Sequence, residues 1–111
     1  MATIVFASPI LPGKTEQYEA FLRNTANERR SEYQESRQRM GIRSERVWLQ
    51  RGQQGDLAII VVEADDPARV FQLIARSTEP FDEWFRQQEF VTLDMANTPM
   101  PGAMPSLVFE G

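Results

Sequence analysis

A chain of 111 residues, 41% apolar and 25% charged, is a single globular domain of ordinary composition. It holds neither cysteine nor histidine, which excludes disulfides, thiolate nucleophiles and the commonest metal ligand and general base. The net charge of −4 is split, with 9 basic and 6 acidic residues up to position 55 against 3 and 10 beyond it; this disfavours nucleic acid as a partner and permits attraction between halves or subunits.

Thr3 to Ser8 reads as a first strand, with Ile4 and Phe6 pointing one way and Val5 and Ala7 the other, so that both faces are apolar. Pro9 and Pro12 end it. Gly13 leads into one long helical pattern from about Lys14 to Met40, stopped by Gly41. Tyr18, Phe21, Leu22 and Ala26 form its apolar stripe, which Arg29, Tyr33, Arg37 and Met40 continue. The second half of the helix therefore offers arginine and tyrosine where a plain core helix would offer leucine.

Ile42 to Gln50 and Asp56 to Glu63 read as a hairpin around the glycine-bearing loop 51–55. Symmetric closure predicts Leu49 opposite Leu57 and Val47 opposite Ile59 on an oily, helix-facing side. Arg46, Trp48 and Gln50 then stand beside Ala58, Ile60 and Val62 on a mixed side. The run Leu57 to Val62 contains six successive apolar residues, the pattern of a strand covered on both faces.

Asp66-Pro67 is a helix start, followed by the stripe Val70, Phe71, Leu73 and Ile74. Pro80 opens another helix, with Phe81, Trp84, Phe85 and Gln88 at helical spacing. Phe90 to Met95 is expected to be a fourth, edge strand. Residues 1–96 thus form the domain, and 97–111 a proline-rich tail whose Leu107, Val108 and Phe109 are expected to dock on the same domain or on a partner subunit. No apolar run approaches the ~20 residues that span a bilayer. A cytoplasmic protein without a membrane partner is expected.

The order βαββαβ, with the first and third strands the most apolar, predicts an α+β, ferredoxin-like antiparallel sheet with its helices on one face. The uncovered face predicts a homodimer. Pro12-Gly13-Lys14 before Glu16-Gln17-Tyr18-Glu19-Ala20-Phe21 resembles the opening of the dimeric α+β barrel proteins. That superfamily includes antibiotic-biosynthesis-type monooxygenases and stress-responsive barrel proteins. Glu45 to Gln50, Gly55 to Ile59 and Pro80 to Phe85 look like a bacterial family of the same fold. The resemblance implies a homodimer whose two sheets close into a barrel, with a small-molecule pocket between sheet and helices in some relatives. Relatives that degrade haem use a histidine, which this chain lacks.

Two other readings fail on the residues. Gly13-Lys14-Thr15 lacks the earlier glycine of a phosphate loop, Ser8 standing in its place, and Pro9 and Pro12 remove amide donors. The third strand has no stacking aromatics of the RNA-recognition kind. Most of the arginines between 23 and 46 alternate with glutamates and read as a solvated helix face. The ligand-binding candidates are Arg29, Tyr33 and Arg37 on the helix with Arg46, Trp48 and Gln50 on the second strand: arginine for a carboxylate or enolate, a tyrosine hydroxyl and a flat indole. No metal or other cofactor is expected. The functional expectation is a homodimeric barrel that binds a small organic molecule and acts on it without a cofactor. The alternative is a non-catalytic structural or regulatory dimer, with Trp48 and the tail as interface.

Overall fold

The computed structural model describes residues 2–98 and 105–111. Strand β1 (Ala2–Pro9), helices α1 (Thr15–Ala26) and α2 (Arg30–Met40), strands β2 (Ile42–Gln50) and β3 (Leu57–Ala64), and helices α3 (Pro67–Arg76) and α4 (Pro80–Thr92) follow in order, closed by a single 3-10 turn (Met95–Asn97). The described strands form one antiparallel sheet in the order β1-β3-β2. The most continuously apolar strand takes the centre, where both edges are hydrogen-bonded and both faces can be covered.

Alternation sorts the sheet. Ile4 stands opposite Val62 and Phe6 opposite Ile60, while Val5 stands opposite Val61 and Ala7 opposite Ile59. On β3 the residues Ala58, Ile60, Val62 and Ala64 are buried, whereas Leu57, Ile59 and Val61 between them are only partly covered. The buried side is the helix side. There Val47 and Leu49 face Tyr18 and Leu22 of α1, and α1 packs on α4 through Phe21, whose ring lies 4.8 Å from Phe85 and 5.4 Å from Trp84, both edge-on. Edge-to-face pairs of this kind add about 0.5–1.5 kcal/mol beyond the area they bury.

Three expectations are corrected. The long helix is two helices, broken at residues 27–29: the Asn27 side-chain amide donates to the carbonyl of Arg23 at 2.8 Å, and the Arg29 amide turns back to the carbonyl of Asn24. A side chain that offers the backbone an alternative partner ends a helix, and Asn27 does so here. The hairpin register is shifted by one residue, with Leu49 opposite Ala58, Val47 opposite Ile60 and Trp48 opposite Ile59. Because the side-chain period in a strand is two, that shift moves Leu57 and Ile59 to the outer face and Ala58, Ile60 and Val62 to the helix face.

The third correction concerns residues 90–95, where no strand forms. Helix α4 runs on to Thr92, and what remains of a fourth strand is one bridge between Ile10 and Leu93, flanked by the Leu11 amide on the Thr92 carbonyl and the Asp94 amide on the Pro9 carbonyl. Phe81 and Phe85, one turn apart, continue to Glu89, so the helical stripe outlasts the strand-like composition of the segment.

The expected ends hold elsewhere. Gly41 adopts φ 74°, the left-handed conformation that closes α2, and its amide meets the carbonyls of Arg37 and Gln38. Asp66 caps α3 by accepting from the Arg69 amide, with Pro67 in the first turn. Asp82, in the first turn of α4, is also a buried latch. It accepts from Ser36 and Ser77 and, at 3.0 Å, from Arg39, tying α2 and the α3–α4 connection to α4. Burial acts to raise its pKa, and these donors outweigh burial and lower it. Pro99 and Pro101 of the expected tail lie outside the described residues, while Leu107, Val108 and Phe109 are fully exposed in the single chain.

Phe21→Ala should test the helix layer. Removing a ring that is 4% exposed and meets three other aromatic rings is expected to lower the unfolding free energy by about 3–5 kcal/mol, measured as a shift in the urea midpoint at unchanged slope.

Candidate functional site

Between the helix side of the sheet and α2, α3 and α4 lies a cavity of about 920 Å³. Ile4, Phe6, Ile60 and Val62 form its floor, and Phe71, Ile74, Phe85 and Leu93 belong to its walls. Helix α3 has a pronounced apolar stripe of which only Val70 is fully buried. Phe71 and Ile74 of that stripe line the cavity. The volume falls in the range of sites for drug-sized ligands, which are typically apolar with a few convergent polar groups.

Among the polar groups that line it are Arg37, Glu45 and Glu89. Arg37 projects from α2 into the core with 8% of its side chain exposed, and a buried guanidinium must be paired. Its Nε donates to Glu45 Oε1 at 2.8 Å, Nη2 approaches Glu45 Oε2 at 3.4 Å, and Nη1 donates to Ser36 Oγ at 3.0 Å. The guanidinium carbon lies 4.4 Å from the centre of the Phe85 ring and 4.7 Å from that of Tyr33, a sandwich that suits a planar, weakly hydrated cation. The Tyr33 hydroxyl donates to Glu45 Oε1 at 2.7 Å, so one carboxylate holds both residues. Burial would lower the pKa of Arg37, but the charge and hydrogen bond of Glu45 overcome it and raise it. The Tyr33 hydroxyl is pushed up by burial and then by Glu45.

Glu89 differs. Among the described residues its carboxyl takes part in no hydrogen bond and no ion pair, and it lines the cavity. Burial, then the negative charge of Glu45, pushes its pKa up to about 8, against a smaller opposing pull from Arg37. Tyr18 is raised by burial and by the charges of Glu89 and Glu45, which puts its hydroxyl near the same cluster. Among the described residues no three carboxylates come together to hold a metal ion.

The six sequence candidates divide. Arg37 lines the cavity, and Tyr33 backs it through Glu45. Arg29 stands at the helix break, paired with Glu32 at 3.6 Å and stacked 4.2 Å over the Trp84 ring. Arg46, Trp48 and Gln50 point to the opposite face of the sheet, alternating with Glu45, Val47 and Leu49; Arg46 lies 5.6 Å over Trp48 and 3.7 Å from Glu63. The sheet separates these two groups.

Sequence reasoning missed Glu45 and Glu89. Glu45 carries a signal, since it alternates in phase with Val47 and Leu49 and so places a carboxylate on an apolar face. Glu89 carries one too, standing one turn beyond Phe85 on the stripe that Phe81 begins.

No family model matches this sequence, and no curated protein matches it. Among solved structures it is similar to the tetracenomycin F2 cyclase of Streptomyces glaucescens, a type-II polyketide cyclase, with a TM-score of 0.56 at 16% identity over 100% of this chain and 97% of that one. The chain has a ferredoxin-like α+β fold. At this identity the likeness concerns the path of the backbone and leaves the side chains of the cavity to be argued from their own geometry.

Glu89 makes stability depend on pH. Its pKa rises from 4.5, the ordinary value, to about 8 in the fold, so between these values the folded state holds a proton that the unfolded state has released. The contribution is complete below about pH 4.5 and is lost as pH rises through about 8. The urea midpoint should fall across that window, and Glu89→Gln should flatten the fall. An equally steep fall in the variant would assign the dependence to other groups.

Proposed function

We propose that this chain is a small-molecule-binding protein that receives a flat, mainly apolar organic molecule between sheet and helices and acts on it without a cofactor, as one half of a homodimer. The observation that carries the reading is the 920 Å³ cavity, whose apolar floor and walls converge on one buried arginine and two carboxyl groups. Such a space favours a ring system with one oxygen-rich edge. Rings are buried against Phe71 and Phe85, and carbonyl or hydroxyl groups turn toward Arg37. The fold likeness to a type-II polyketide cyclase supports a polyketide-like substrate. With no histidine or cysteine in the chain, acid–base work falls to carboxyl, tyrosine and arginine side chains.

The homodimer is supported by the other side of the sheet. Val5 is 43% and Trp48 50% exposed there, in rows with Val61 and with Ile59 that no helix covers. A contiguous apolar face of this kind is stabilised by a partner. We place a second copy of the sheet on it, with the exposed Leu107, Val108 and Phe109 as a further contact onto the domain or its neighbour. The same face supports a second reading, a structural or regulatory dimer without catalysis, in which the cavity serves no reaction.

Two measurements separate these readings. A thermal-shift series with neutral hydroxyanthraquinones should stabilise the protein by about 2.7 kcal/mol at a hundredfold excess over Kd, and Ile60→Trp, which fills the cavity floor, should abolish the effect. Absence of any shift would leave the non-catalytic dimer. Light scattering should give twice the 12.8 kDa of the chain, reduced to a single chain by Trp48→Glu. A wild-type mass of one chain would overturn both dimer readings.

A further inference from the structure

Three of the five N–H donors of Arg37 are engaged. Its hydrogen bonds to Glu45 and Ser36 and its two ring faces hold it in place, so it offers a fixed positive potential rather than a free hand for an anion. Glu45 is engaged by Arg37 and Tyr33. Of the acids that line the cavity, Glu45 and Asp82 are engaged and Glu83 is exposed, which leaves Glu89 as the partly covered acid without a partner among the described residues, beside an ion pair and an apolar floor. An anionic ligand would meet Glu45 and Glu89, and a cationic one would have to leave water for walls of isoleucine, valine and phenylalanine. The ligand that fits is uncharged.

We propose that Glu89 is the catalytic proton carrier of this cavity and that its substrate class is uncharged ketones with an acidic C–H beside the carbonyl. The inference rests on the cavity reading above. In the step, the bond between hydrogen and the α-carbon breaks and the proton goes to a Glu89 carboxylate oxygen. The electron pair of that bond becomes the carbon–carbon double bond of an enolate, and the carbonyl π pair moves to oxygen, where the Arg37 field stabilises it. Glu89 then returns the proton to carbon or to the enolate oxygen of the same molecule. Atoms and charge balance without an oxidant or reductant.

The groups that bear on Glu89 from the elements packed around it are Tyr18 of α1, Arg37 of α2 and Glu45 of β2. Arg76 of α3 and Asp82, Glu83 and Arg86 of α4 lie elsewhere on the cavity wall. Arg86 is itself held by the carbonyls of Ile74 and Ser77, and Asp82 by its serine and arginine donors. A proton that leaves or joins the cavity near neutral pH is thus assigned to Glu89.

The test is hydrogen–deuterium exchange at the carbon acid of β-tetralone, a neutral bicyclic ketone, followed by proton NMR in heavy water, with binding read separately by saturation-transfer difference. Wild-type protein should accelerate exchange over buffer. The rate should rise with pH to a plateau with its midpoint near 8, where Glu89 becomes a base. Glu89→Gln, which keeps the shape and cannot accept the proton, should bind β-tetralone within about threefold of wild type and lose about a hundredfold in exchange rate. Binding with undiminished exchange in the variant overturns the role of Glu89 and leaves the cavity reading standing. Absence of binding to wild type overturns the cavity reading itself and this inference with it. Should the variant misfold, the wild-type pH profile decides: a rate unchanged from pH 6 to pH 9 overturns the assignment.

Discussion

The constraint behind this structure is a central strand that is apolar on both sides. Strand β3 pairs along its whole length with β1 and β2, so its backbone is satisfied within the sheet and only its side chains remain to be covered. Ala58, Ile60, Val62 and Ala64 face the helices and are buried, while Leu57, Ile59 and Val61 face away and are only partly covered. At ~25 cal/mol per Å² of apolar surface removed from water, both sides favour a covering layer. The chain supplies helices for one. Hence the fold is a layer of helices on one side and an open apolar face on the other, and the site must lie where helices and sheet separate.

Within the helix side, a charged cluster takes the place of part of the core. Burying Arg37 costs several kcal/mol unless its donors and its charge are met, and Glu45, Ser36, Tyr33 and Phe85 meet them from three elements, β2, α2 and α4. The cost has an electrostatic consequence beyond the pair itself. With Glu45 committed to Arg37, a second carboxyl in the same low-dielectric space has no counter-charge of its own, and Glu89 is driven toward its protonated form. A strong, closed ion pair beside a carboxyl that keeps its proton to near-neutral pH is an arrangement suited to moving protons, because one group stays fixed while the other changes state.

Much of this architecture was legible in the residues because it depends on short-range rules. The doubly apolar run of β3 placed it at the centre of the described sheet, with β1 on one edge. Asp66-Pro67 and Gly41 marked helix ends through capping and left-handed geometry, and β2 was bounded correctly by the glycines around it. The misreadings arose where two local rules competed. Asn27 could continue a helix or turn its amide onto Arg23, and in the structure it turns. Phe90 to Met95 has strand-like composition, yet the α4 stripe and the Thr92 hydroxyl bonded to the Gln88 carbonyl carry the helix through it.

By itself the sequence determined the α+β class, the three strands of the described sheet, the absence of histidine and cysteine side chains, and the arginine-bearing stripe of the second helix. These follow from composition and periodicity, which are properties of neighbours along the chain. The hairpin register, and with it the face to which Ala58, Ile60 and Val62 belong, was decided by tertiary structure, since a shift of one residue reverses every side chain of a strand at little local cost. The convergence of Arg37, Glu45 and Glu89 from α2, β2 and α4 was decided there too, because electrostatic coupling depends on distance through space and leaves no periodicity along the chain.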